Sequence, residues 1–291
     1  MPTVQPVSRL SLKNILVPTD FSPASRAALP FAESLAQTYG STILVAHAIA
    51  PEPHLQVVMD RIPEEEEAIW RDARQKLNTF TRDPGLAAMA WKTLLERGDV
   101  ADVIPAMIAG NAVDLVVLGT HGRRGVSKII LGSEAEKIYR AATCPVLVVG
   151  PKVELTQWKL RQILCPVDLA EDPGPGLHYA LSLAEEHEAE FIVLEAIPMV
   201  PWQHREETEV RARRRLESLI PEPAKDWCTP EYAIRWDYPA ESILHEARTR
   251  NVDLIVMSVH KSRATSWTHS PWPVASEVVS RAPCPVLTIR V

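Results

Sequence analysis

Glycines stand in this sequence where a phosphate can be cradled. After an apolar run at 115–118 comes Gly119-Thr120-His121-Gly122, then nine residues, then Gly132-Ser133 at the head of a helical stretch. A residue without Cβ lets backbone approach a ligand at a strand end. Gly132 and Ser133 put free N–H groups and a hydroxyl at a helix N-terminus, which is suited to an anion. Arg123, Arg124 and Lys128 lie between the two glycine pairs and can add charge-assisted bonds. A single GxxG reads more simply as a turn followed by a serine cap. The second glycine pair with a helix behind it favours nucleotide phosphate. Asp20, two residues past the apolar run at 14–18, can accept from an adenine amino group or a ribose hydroxyl. It reads equally well as a helix cap shared with Ser22 or Ser25.

Other chemistry is weaker. His47 and His121 fall near the same predicted crevice, but the sequence assigns neither an orienting partner. Cys144, Cys165, Cys228 and Cys284 form no CxxC and no cluster with histidine at metal spacing. Nothing marks any of them as a low-pKa thiol. The Walker A pattern, a GxGxxG after the first strand and the GxSxG elbow are all absent, which argues against a P-loop NTPase, a dinucleotide dehydrogenase and an α/β-hydrolase.

The elements that position these residues come from a chain written twice. LKNILVPTD at 12–20 matches LRQILCPVD at 160–168, and 29–48 lies over 177–196 at the same offset. VDLVVLG at 113–119 matches VDLIVMS at 252–258, and TCPVLVV at 143–149 matches PCPVLTI at 283–289. Two domains are expected, 1–150 and 158–291, within the 291 residues.

In the first half, strands are expected at 14–18, 42–48, 88–94, 115–119 and 146–149. Helices are expected at 25–39, 63–80, 100–110 and 133–141, with Gly40 stopping the first. The second half repeats the scheme, with strands at 162–167, 191–197, 231–235, 254–258 and 286–290 and helices at 177–187, 205–220, 240–249 and 275–281. Apolar strands alternating with helices indicate an α/β fold, a parallel sheet covered on both faces. Ligands of such sheets sit beyond the carboxyl ends of the strands, where strand order reverses. The net charge of −6 offers no broad basic face for nucleic acid or an anionic membrane. No apolar stretch approaches the roughly 20 residues that cross a bilayer. A cytoplasmic protein is expected.

With these residues in place, the chain resembles a tandem universal stress protein. Gly119, Gly122, Gly132 and Ser133 complete the Gly-x2-Gly-x9-Gly-(Ser/Thr) signature of the nucleotide-binding members, and Asp20 and the CPVLVV strand also fit. The resemblance implies two Rossmann-like, doubly wound domains of the adenine nucleotide alpha hydrolase-like type, with strand order 3-2-1-4-5. It implies ATP, ADP or AMP in the first half, with Mg²⁺ held through the phosphates. Asp20 would face the nucleoside in the Val17-Pro18-Thr19-Asp20 segment. Backbone near Val17 and Ala46 would meet adenine, and the loop carrying Gly119, His121, Gly122, Arg123, Gly132 and Ser133 would wrap the phosphates. It further implies pairing of the last strands, 146–149 with 286–290, which would hide two sheet edges within one chain or in a homodimer.

The second half departs from the signature. Ser258 replaces the first glycine, Lys261 stands near the second, and Trp272-Pro273 replace Gly132-Ser133. A tryptophan obstructs phosphate approach and proline removes an N–H. The segment 259–273 carries two histidines and two tryptophans, read as a packed or dimer-facing loop rather than a metal site. The first 150 residues hold 15 basic and 16 acidic side chains, the rest 16 and 21, and six of the eight tryptophans lie in the second half. That half is expected to be a degenerate domain, a scaffold or a docking surface for a regulatory protein. The function expected is nucleotide-dependent regulation in stress response. A weak ATPase and a nucleotide-independent, chaperone-like interaction protein are the alternatives.

Overall fold

The computed structural model describes residues 10–51, 63–120, 133–150, 153, 158–171, 173–197, 204–259 and 273–291. They form two compact units, the first within residues 11–150 and the second from 153 onward together with Leu10.

In the first unit the strands are β1 (Asn14–Pro18), β2 (Thr42–Ile49), β3 (Trp91–Arg97), β4 (Leu115–Gly119) and β5 (Val146–Val149). They lie in the order β3-β2-β1-β4-β5, all parallel. Ile15, Leu16, Val17, Val116 and Val117 have no exposed surface, as continuous apolar strands between two helical layers require. Strand order reverses between β1 and β4, so the crevice opens beyond Pro18 and Gly119.

The helices are α1 (Pro23–Ala27), α2 (Leu29–Tyr39), α3 (Pro63–Phe80), α4 (Val100–Gly110) and α5 (Ser133–Ala141). Two differences from expectation have local causes. The single helix expected at 25–39 breaks at Ala28, because Pro30 has no N–H for the carbonyl of Arg26. The strand expected at 88–94 runs instead from Trp91 to Arg97. The apolar residues before it form a 3-10 turn, Leu86–Ala88, that buries Leu86 completely. Gly40 ends α2 at φ 67°, the left-handed stop its position suggests.

The second unit repeats the plan with β6 (Gln162–Val167), β7 (Glu190–Ala196), β8 (Glu231–Arg235), β9 (Leu254–Val259) and β10 (Val286–Arg290), ordered β10-β9-β6-β7-β8 and parallel. Its helices are α6 (Gly174–His187), α7 (Arg205–Leu219), α8 (Pro239–Thr249) and α9 (Pro273–Arg281).

The repeated VDL motif has a structural role in each unit. Asp114 Oδ2 accepts the backbone N–H groups of Lys13 and Asn14 at 2.7 and 2.9 Å. Asp253 Oδ2 does the same for Arg161 and Gln162 at 2.9 and 3.0 Å. Each carboxylate thus starts the central strand of its sheet. Among the described residues, no helix is long and apolar enough to cross a membrane.

Candidate functional site

In the first unit, chain leaving β1 turns sharply at Thr19–Ser22. Thr19 is buried. Its N–H donates to the Ala46 carbonyl at 2.8 Å, and its hydroxyl pairs with Ser25 at 2.9 Å and accepts the Phe21 N–H at 2.9 Å. Asp20 is exposed at the crevice, and its Oδ1 accepts the Ser22 N–H at 3.0 Å. Partial burial works against its charge, but hydrogen bonds from Ser22 and Ser25 outweigh that and hold the carboxyl below its usual range. The cap of α1 is Ser22, whose hydroxyl accepts from the Ser25 N–H at 3.2 Å. Asp20 forms the turn ahead of the cap. Phe21 sits at φ 65°, a conformation that L side chains rarely adopt and that costs on the order of 1–2 kcal/mol. The Thr19 and Asp20 hydrogen bonds hold it there.

His47, on β2, has the partner that the sequence could not name. Its Nδ1 lies 2.8 Å from the Thr19 carbonyl oxygen. A carbonyl only accepts, so Nδ1 carries the proton and Nε2 is the acceptor of the neutral ring. Burial lowers the imidazole pKa, against the pull of the Thr19 carbonyl and the Asp20 carboxylate. The ring packs on Phe21 with centroids 4.3 Å apart. Val17, Pro18 and Ala46 are buried within the paired region of β1 and β2.

Gly119 ends β4, and the close approach it permits is by protein. A Cβ there would stand 1.9 Å from the Ala24 carbonyl oxygen and 2.6 Å from its carbon. The first glycine of the signature is therefore required for seating α1 on β4, whatever else it serves. Ser133 opens α5 and is exposed, with Glu134 and Glu136 in the same first turn. The structure thus brings Val17, Pro18, Thr19, Asp20, Ala46 and Gly119 to one end of the sheet. His121, Gly122, Arg123 and Gly132 lie outside the described residues, as do Arg124 and Lys128.

The second unit answers the same packing problem in the opposite way. Ser258 takes the place of Gly119, and the glycine moves to the helix. A Cβ on Gly176 would stand 2.5 Å from Ser258 Oγ. Ser258 donates to the Pro173 carbonyl at 2.7 Å and accepts the Gly176 N–H at 3.1 Å. Asp168 repeats the turn of Asp20, accepting from the Ala170 N–H at 2.8 Å. At the register of His47 stands Glu195, which sequence reading passed over. It is 9% exposed, and its Oε2 accepts the Leu169 N–H at 3.2 Å. Burial pushes its carboxyl up to about 7, with Asp168 adding to the rise and Arg215 opposing it. A cavity of about 810 Å³ opens beside it.

Burial pushes the Cys165 and Cys284 thiols up to about 12 and Cys228 to about 11, so these are packing residues. His260 and His269 lie outside the described residues. Trp158 spends its indole N–H on the Asp253 carbonyl at 3.2 Å, a role within the fold.

The family model described as the universal stress protein family matches this chain twice, at residues 11–150 and 159–290. A universal stress protein of Thermus aquaticus is 32% identical over 143 residues, 47% of this chain and 98% of the relative. Universal stress protein A homolog 1 of Coxiella burnetii is also 32% identical over 143 residues, covering 48% and 97%. Both relatives have the length of one unit. A crystal structure of a universal stress protein from Archaeoglobus fulgidus superposes over 97% of this chain and 99% of its own, with TM-score 0.73 and 17% identity, a likeness of fold.

Proposed function

We propose, for a chain that belongs to the universal stress protein family, that its first half holds one adenine nucleotide at the carboxyl end of its sheet and acts as a nucleotide-dependent regulator in stress response. The observation that carries this reading is where the glycine signature falls. It begins at Gly119, where β4 ends at the reversal of strand order, and it finishes at Ser133, where α5 begins. Asp20 supports it, as an ionised carboxylate at the same crevice able to accept from ribose hydroxyls or an adenine amino group. Backbone near Val17 and Ala46, with Pro18 and Thr19, would meet the base. His121, Gly122, Arg123 and Gly132 belong to the same proposal by their place in the signature.

Binding is by backbone N–H groups and a helix terminus, so the reading is one of occupancy rather than turnover. Among the described residues no group of three or more His, Cys, Asp or Glu could hold a metal ion. Mg²⁺ would be carried on the phosphates. The second half is proposed to hold no nucleotide, because α9 starts at Pro273, which has no N–H to offer. The same reading places the protein in the cytoplasm. A second copy or a regulatory protein would read the assembled surface.

The test is calorimetric titration of ATP, ADP and AMP into the full chain and into the Gly122→Val/Gly132→Val variant. Loss of about 100-fold or more in affinity, with circular dichroism unchanged, is expected. Unchanged affinity would sink the phosphate-loop assignment.

A further inference from the structure

The second half, proposed to hold no nucleotide, has a large cavity at the equivalent end of its sheet. The cavity, of about 810 Å³, is bounded by the ends of β6, β7 and β9 and by α7, α8 and α9. That volume is typical of a small-molecule site. Its walls are largely apolar, with Leu194, Ile197, Ile243, Met257 and Val259 among them.

Its charged groups are three carboxylates and two guanidiniums. Asp168 and Glu195 reach it from the ends of β6 and β7, and Glu171 joins them from the loop after β6. The two cations of the cavity, Arg211 and Arg215, both come from α7. Arg215 donates to the Leu169 carbonyl, and Arg211 pairs with Glu207 at 3.3 Å. The helix N-terminus that could have taken an anion is spent internally, because the Gly176 N–H is bonded to Ser258. Glu195 is nine-tenths buried, and one of its oxygens accepts no hydrogen bond among the described residues. No cation forms an ion pair with it among the described residues, although Arg215 acts on its charge at longer range.

We propose that this cavity is a binding site for a phosphate-free organic cation with an apolar body, an aryl or alkyl amine or amidine, whose charged end is held by Glu195 with Asp168. The apolar walls take the body of the ligand and the carboxylates take its N–H donors through charge-assisted bonds. This site is independent of any nucleotide in the first half. Ionisation of Glu195 near neutral pH makes occupancy pH-sensitive: the cation binds best once Glu195 has lost its proton, against a background set by Asp168, Glu171, Arg211 and Arg215.

The experiment uses the full chain carrying ¹³C-methyl methionine, with the Met257 signal assigned through Met257→Leu. Benzamidine, neutral benzamide, benzoate and ATP are titrated separately at pH 8 and pH 5.5. Benzamidine is expected to shift the Met257 methyl in a saturable way at pH 8 and to bind about tenfold more tightly than benzamide. That preference should shrink at pH 5.5 and vanish in the isosteric Glu195→Gln variant. Benzoate and ATP should leave Met257 unmoved. The proposal is overturned by an unmoved Met257 with benzamidine, by benzoate or ATP binding as well as benzamidine, or by a benzamidine preference that survives Glu195→Gln.

Discussion

Replacing Gly119 by alanine separates two reasons for a glycine at the end of β4. The added Cβ would lie 1.9 Å from the Ala24 carbonyl oxygen, 2.6 Å from its carbon and 3.3 Å from Ser25 Cα. An ordinary carbon–oxygen contact is about 3.4 Å, so α1 must retreat by roughly 1.5 Å. The obstacle is backbone and cannot swing aside as a flexible side chain would. Overpacking of this kind costs about 2 kcal/mol, or about 4–8 °C in Tm for a domain of this size. A chain of two units need not melt as one transition, so the loss is best read locally, by hydrogen exchange with mass spectrometry on peptides from residues 11–120. Because the clash is between two parts of the protein, the loss is expected without nucleotide. Gly176→Ala should produce a smaller loss in the second half, where its Cβ would meet the Ser258 hydroxyl at 2.5 Å and the Ser258 backbone nitrogen at 2.8 Å. A ligand-free Gly119→Ala protein within about 0.5 kcal/mol of the parent would refute the reasoning and leave ligand approach as the glycine's sole role.

Glu246, fully buried, is held by Arg235 and by Arg250, whose Nε lies 2.6 Å from Oε2. Glu246→Ala leaves Arg235 without this partner and Arg250 with Glu231 alone, and should cost about 2 kcal/mol in urea denaturation of the second half. In the VDL motifs a single carboxylate oxygen takes both N–H groups. Asp114→Ala and Asp253→Ala should therefore each lose about 1–3 kcal/mol in their own half, and the Asn variants much less. The two halves should respond to pH with opposite sign. Glu195, raised to about 7 from an ordinary 4.5, binds its proton more tightly when folded, so the second half loses stability as pH rises from about 5 to 8, by at most about 1.4 kcal/mol per pH unit. His47, held below 6.5, is protonated first in the unfolded chain, so the first half loses stability as pH falls below about 6.5. Half-resolved hydrogen exchange, corrected for intrinsic rates, checks both, and Glu195→Gln should flatten the second profile.

The strands were legible because their signal is local: unbroken Val, Ile and Leu runs bounded by turn residues, repeated at a constant offset. β1, β4, β5, β6, β8 and β10 run over the residues that pattern marks. β3 was misplaced because it is an edge strand, with Trp91, Lys92 and Thr93 exposed, while Leu86 just before it is buried by a 3-10 turn. Within the candidate site, Asp20 and Gly119 were legible as types at telling positions, but their partners were not. Ala24 meets Gly119, and Thr19 meets His47, only through tertiary packing. Glu195 escaped notice because it sits inside an apolar strand as one ordinary glutamate. The alignment of 29–48 with 177–196 does place it opposite His47, and that exchange of a histidine for a carboxylate was the available signal.

The most direct test of nucleotide binding in the first half is to release and identify small molecules from freshly purified protein by mass spectrometry, with calorimetric titration of ATP giving the stoichiometry. The account predicts one adenine nucleotide per chain, lost in Gly122→Val/Gly132→Val. No nucleotide and no binding heat, or two nucleotides per chain, would contradict it.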